Sequence, residues 1–155
     1  MASTVARQIR PGAESPPRDV PQERQASEMP EWASELLHAA QRRAVSASPA
    51  AMAGHLQSLF GQRITAMITG VDDPKTVGRW ARGQAPQERH FRRLQDAFQV
   101  VSLLEIAESE QVARAWFLGM NPDLGDQSPA AVLADDPAAG GQRIMRAARS
   151  YLARG

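Results

Sequence analysis

Cysteine is absent from all 155 residues, so a disulfide framework and thiolate metal sites are excluded, in keeping with a reducing cytoplasm. No stretch approaches the roughly 20 apolar residues needed to span a bilayer, and residues 1–10 carry no apolar run of the signal-peptide kind. A soluble, cytoplasmic protein without membrane contact is expected. The three histidines, His38, His55 and His90, are scattered without metal-ligand spacing. Neither a glycine-rich phosphate loop nor a His-Glu-x-x-His pattern occurs, so no enzyme, cofactor, metal or small-molecule substrate is expected. Asp135-Asp136 reads as a capping pair before Pro137 rather than a carboxylate dyad. Gly140-Gly141-Gln142, the tripeptide of peptide-release factors, lacks the surrounding domain and reads as chance. No credible strand is present either, and the fold class predicted is all-α.

What is present is an uneven distribution of charge. The net charge of +1 conceals seven Lys/Arg against four Asp/Glu over residues 61–100, one against seven over 101–140, and four against none over 141–155. Because nucleic-acid affinity comes from local neutralisation of phosphates, the first block carries more information than the total.

Residues 1–30 hold five of the eleven prolines and scarcely any large apolar side chain. They are predicted to form a disordered leader, or a segment that folds only on a partner. Trp32, Leu36, Leu37 and Ala40 then recur at helical intervals, giving an accessory helix over 31–48 that pauses at Ser46-Ala47-Ser48-Pro49. Met52, Leu56, Leu59 and Phe60 mark a helix ending at Gly61. Ile64, Met67 and Ile68 mark a second, over 62–69, ending at Gly70. A short helix at 74–82 follows, and Phe91, Leu94, Phe98 and Val101 mark a longer one after Ala85-Pro86. This order of short helices and tight turns over 49–104 outlines a helix-turn-helix domain. Over 105–155, Val112, Ala113, Trp116 and Phe117 form a further helix stopped by Gly119, Asn121 and Pro122. Ser128-Pro129 starts a short one carrying Val132 and Leu133, residues 137–141 break the chain, and Ile144, Ala147, Ala148, Tyr151 and Leu152 stripe a terminal helix.

The helix at 74–82 is the most informative element. Asp73 suits the N-cap, Pro74 the first helical position, and Gly83 the left-handed residue that closes the helix. Val77, Trp80 and Ala81 point one way; Lys75, Thr76, Arg79 and Arg82 point the other. As the second helix of a helix-turn-helix pair it would enter the major groove with Lys75, Thr76 and Arg79 near base edges, Arg79 having the geometry to grip guanine. Arg63, Arg82, Gln84, Arg92 and Arg93 are placed for phosphates. Gly78 costs helicity, by roughly 1 kcal/mol, and so points to a close approach by DNA or another helix. The plainer alternative is a basic surface on a helical bundle. Val77-Gly78-Arg79-Trp80-Ala81-Arg82-Gly83 with Pro86 resembles the Xre (phage-repressor-like) helix-turn-helix family.

Trp116, Asn121-Pro122, Leu124-Gly125, Ser128-Pro129 and Leu133, followed by a glycine-containing break and a terminal amphipathic helix, resemble the toxin-binding domain of Xre/MbcA/ParS antitoxins. With the helix-turn-helix, the resemblance covers about residues 50–155. It departs at Asp126, where the family often has a second glycine, and at Gly140-Gly141, where one glycine is more usual. The resemblance implies a type II antitoxin that occludes the active site of a RES-domain, NAD-degrading toxin and represses its own operon at operator DNA. It implies that Leu124, Gly125, Ser128, Pro129 and Leu133 shape the binding domain, and that an arm with Arg143, Arg146, Arg149, Tyr151 and Arg154 lies at the toxin. A homodimer is expected because paired half-sites call for paired readers. The alternative is a stand-alone Xre-family repressor whose second half dimerises or binds another protein, with Trp116, Leu124 and Leu133 as plain core.

Overall fold

The computed structural model describes residues 30–155, so the leader expected over 1–30 lies, Pro30 apart, outside the described residues. Eight α-helices follow in order: α1 Glu31–Ser46, α2 Pro49–Phe60, α3 Gln62–Thr69, α4 Lys75–Ala81, α5 Glu88–Ala107, α6 Glu110–Leu118, α7 Pro129–Asp135 and α8 Gly140–Arg154. A 3-10 turn, Pro122–Leu124, and one isolated antiparallel bridge between Asn121 and Gln127 complete the regular structure. The fold is all-α among the described residues, as the sequence predicts. None of these helices is long and apolar enough to cross a membrane.

Local chemistry sets the helix ends. The hydroxyls of Ser48, Ser109 and Ser128 accept hydrogen bonds from the N–H groups of Ala51, Val112 and Ala131, each at 3.1 Å, satisfying donors that the first turn leaves unpaired. Pro49 and Pro129 occupy first-turn positions where a missing N–H costs nothing. Gly70, at φ 79°, closes α3 in the left-handed conformation that a Cβ disfavours.

Glu31–Gly155 make one compact unit built around α5. The sequence marks only one apolar face there, yet Ala97, Phe98, Val100, Val101, Ser102, Leu103 and Leu104 are all buried. A helix buried all round must be covered on every side. Here α1, α2, α3, α6 and α8 all pack against α5. Residue 104, the last of the predicted helix-turn-helix span, lies within this helix.

Two local readings need correction. Met67 was predicted on the buried face of α3, but it is 46% exposed, and Thr65, Ala66, Ile68 and Thr69 are buried instead. Threonines tolerate this because their hydroxyls donate to nearby carbonyls: Thr65 to Gly61 at 2.8 Å and Leu56 at 3.2 Å, Thr69 to Thr65 at 2.8 Å. The break predicted over 137–141 is shorter than expected, since α8 already begins at Gly140. Both glycines there are accounted for by close packing. A Cβ on Gly140 would lie 2.9 Å from the Val132 carbonyl oxygen, and one on Gly141 would overlap the Asp96 carboxylate.

Candidate functional site

The α3–α4 pair occupies the span where the sequence outlines a helix-turn-helix. Its second helix spans Lys75–Ala81, one residue inside each predicted end. Pro74 stands at the cap position rather than inside the helix, because its carbonyl already accepts from Val77. Asp73 still serves the N-terminus: its Oδ1 accepts from the Lys75 N–H at 3.0 Å. Gly83, at φ 113°, turns the chain away after Arg82. Val77 and Trp80 are buried, so the helix is anchored from below. His90 of α5 braces the anchor, with its ring 6.0 Å from that of Trp80 and its Nδ1 2.7 Å from the Thr69 carbonyl oxygen at the end of α3. The nearest neighbour of Gly78 lies within the protein, at the end of the exposed Gln62 side chain of α3. A Cβ there would come within 2.8 Å of Gln62 Nε2, which donates to Gln57 Oε1 at 3.0 Å.

On the outer side Lys75, Arg79 and Arg82 are exposed and Thr76 is half-buried. Arg79 is held rather than loose. Its Nη2 donates to Thr76 Oγ1 at 2.9 Å and lies 3.7 Å from Asp73 Oδ2. Exposed groups interact weakly in water, so this pairing orients the guanidinium and is readily exchanged for another acceptor. Arg63 on α3 and Gln84 after the turn are exposed. Arg92 is exposed but pairs with Glu88 at 2.9 Å. Arg93 is half-buried against the α3–α4 turn, where a Cβ on Gly70 would meet its Nη1 at 2.5 Å. It closes that turn, while Arg63, Arg82 and Gln84 reach solvent.

In the second half, Leu124, Pro129 and Leu133 are buried, Ser128 caps α7, and Gly125 takes φ 65° to close the 3-10 turn. These residues shape the domain from inside. Of the α8 arginines, Arg143 pairs with Asp136 at 3.3 Å and Arg154 with Asp123 at 2.7 Å. Arg146 and Arg149 are exposed and have no ion pair among the described residues. Tyr151 is half-buried, its ring 6.4 Å from that of Trp116.

No family model, curated protein or solved structure matches this chain. Any functional reading therefore stands on its own residues. Among the described residues no three His, Asp or Glu side chains converge as a metal site. Asp136 and Asp123 have carboxyls held below the ordinary carboxylate value, Asp136 mainly by the Ala139 N–H and Asp123 mainly by Arg154. Only Asp136 of the predicted capping pair caps anything.

Sequence reading missed the groups that join the two halves. Arg114, the one basic residue of 101–140, donates from Nε to the Leu59 carbonyl at 3.0 Å and so caps the end of α2. Glu105 receives Arg43 at 2.8 Å and His55 at 2.7 Å, tying α1 and α2 to the end of α5. These partners lie far apart in sequence, and no local spacing announces them.

Proposed function

We propose that this chain is a cytoplasmic type II antitoxin: a homodimer that binds operator DNA through α3 and α4, represses its own operon, and neutralises a cognate RES-domain toxin by covering its active site. The observation that carries the DNA-binding part is α4 itself. A capped helix is anchored by buried Val77 and Trp80, braced by His90, and presents Lys75, Arg79 and Arg82 to solvent directly after a tight turn. In the groove, Arg79 exchanges Thr76 and Asp73 for a base edge, guanine O6 and N7 being the matched pair of acceptors. Arg63, Arg82 and Gln84 hold the flanking phosphates and set register without reading sequence.

The toxin-binding part rests on the likeness of residues 116–133 to antitoxin domains and on the amphipathic terminal helix that follows them. A specific observation favours the second reading, a stand-alone repressor. Leu124 and Leu133 are interior residues that share a core with α2–α5, as a purely structural second half would require.

Co-expression with the product of the adjacent gene separates the two. An antitoxin rescues growth that the neighbour alone arrests and co-purifies with it. A neighbour that is harmless or unbound leaves the stand-alone repressor. In parallel, Arg79→Ala is expected to cost about 1–3 kcal/mol of specific DNA binding with little loss of stability, measured on the operator by fluorescence anisotropy. Unchanged operator affinity would remove Arg79 from the interface. Deleting α8 is not a clean test of toxin binding, because Ile144, Ala147 and Ala148 belong to the core.

A further inference from the structure

One face of α5 carries a stripe whose second half meets α8. Arg89, Arg92, Arg93, Asp96, Gln99 and Val100 recur at spacings of three and four, so they lie above one another along the helix. This stripe lines two hollows in succession. The first, about 340 Å³, lies between Glu88, Arg89, Arg92 and Arg93 and the Pro137 corner ahead of α8. The second, about 370 Å³, lies between Asp96 and Gln99 and the first turns of α8, with Arg146 and Arg149 on its far wall. From Arg92 to Gln99 the helix rises roughly 10 Å, so the two hollows form a track rather than one closed pocket.

Charge in this track is not evenly committed. Arg143 and Arg154 of α8 are neutralised by Asp136 and Asp123, whereas Arg146 and Arg149 have no acidic partner among the described residues. Each hollow also carries one carboxylate on its wall. Glu88 pairs with Arg92 in solvent, and Asp96 is half-buried beneath Gly141. At the other end of the stripe, His90 and Arg93 join the start of α5 to Trp80 and Gly70 of the helix-turn-helix. The start of α5 thus links the buried side of α4 and the α3–α4 turn to the arginines of the first hollow.

We propose that the cleft between α5 and α8 is a second phosphate-binding track, in which Arg146 and Arg149 hold the sugar-phosphate backbone of the duplex whose groove α4 enters. The proposal rests on the DNA-binding part of the function given above. A linear polyanion suits two open hollows in sequence, each walled by arginine. Arg146 and Arg149 act as phosphate clamps and add affinity without sequence preference.

The test is the salt dependence of binding to a short mixed-sequence duplex, followed by fluorescence anisotropy on the full chain. Each phosphate contact contributes about 0.9 to the slope of log affinity against log salt. Arg146→Gln with Arg149→Gln is expected to reduce that slope by about two. Lysine at both positions should preserve it, and Arg42→Gln, on α1 and lining neither hollow, should leave it unchanged. Circular dichroism confirms that each variant is folded. If the double glutamine variant keeps the parental slope while Arg63→Gln with Arg82→Gln lowers it, the DNA-binding reading stands and the track is overturned. An equal loss per arginine with Arg42→Gln would overturn it as well, as diffuse charge. A parent protein showing no salt-dependent binding overturns both proposals.

Discussion

At the scale of single residues, Asp126 shows how a departure in sequence becomes a constraint in structure. It takes φ 63° directly after Gly125 at φ 65°, the one non-glycine residue with positive φ among those described. The position is made for glycine, and aspartate is among the few other residues that enter this region readily. Asp96 carries a different constraint. Burial raises its carboxyl above the ordinary value of 3.8, so the folded chain holds that proton to higher pH than the unfolded chain does. Its contribution to stability is therefore full below 3.8 and lost as pH rises through the raised folded value. Asp96→Asn removes this loss. The variant should gain melting temperature over the parent as pH goes from acid to neutral, and a constant difference across that range would refute the account. Asp123 and Asp136 act with the opposite sign, adding stability above the ordinary value that disappears as pH falls through their lowered ones.

At the scale of elements, two helical glycines make opposite predictions. In α8, a Cβ on Gly140 meets the Val132 carbonyl oxygen at 2.9 Å and the Leu133 Cα at 3.3 Å, both backbone atoms of α7 that cannot rotate away. Gly140→Ala should destabilise by about 1–3 kcal/mol despite alanine's better helix propensity. In α2, Gly54 has only the Ala81 Cβ nearby, at 4.0 Å. Gly54→Ala should stabilise by up to about 1 kcal/mol. Urea unfolding of the two variants beside the parent checks both signs. Boundaries of helices were legible where they depend on local chemistry, as at Ser48-Pro49, Ser128-Pro129 and Gly70. Which face a helix buries was less so. On α3, hydroxyl bonds to the preceding turn let Thr65 and Thr69 go inside while Met67 stayed out.

At the scale of the whole molecule, α2–α5 and the second half share one core. Phe60 of α2 packs on Phe117 of α6 at 5.1 Å between ring centroids, Arg114 caps α2, and α5 runs through both. Residues 31–155 should therefore unfold in one transition. The tryptophans report on α1, α4 and α6 separately, at positions 32, 80 and 116. Heat unfolding followed by tryptophan emission and by helical circular dichroism should give coincident curves, and two separated midpoints would show independently folding halves.

Sequence alone determined the helical class, most helix ends, and the anchored and cationic sides of α4. Those features follow from 3.6-residue periodicity, caps and glycine conformation, which act within a few residues. The candidate site was legible to the same depth, in that Lys75, Arg79 and Arg82 lie on the outer face as predicted. Tertiary structure decided that Arg93 closes a turn, that Gly78 faces a glutamine pair, and that α5 is surrounded. It also decided which arginines of α8 are paired and which remain open. Each of these depends on groups distant in the chain meeting across a packed interior, and helical periodicity carries no record of which helix lies opposite.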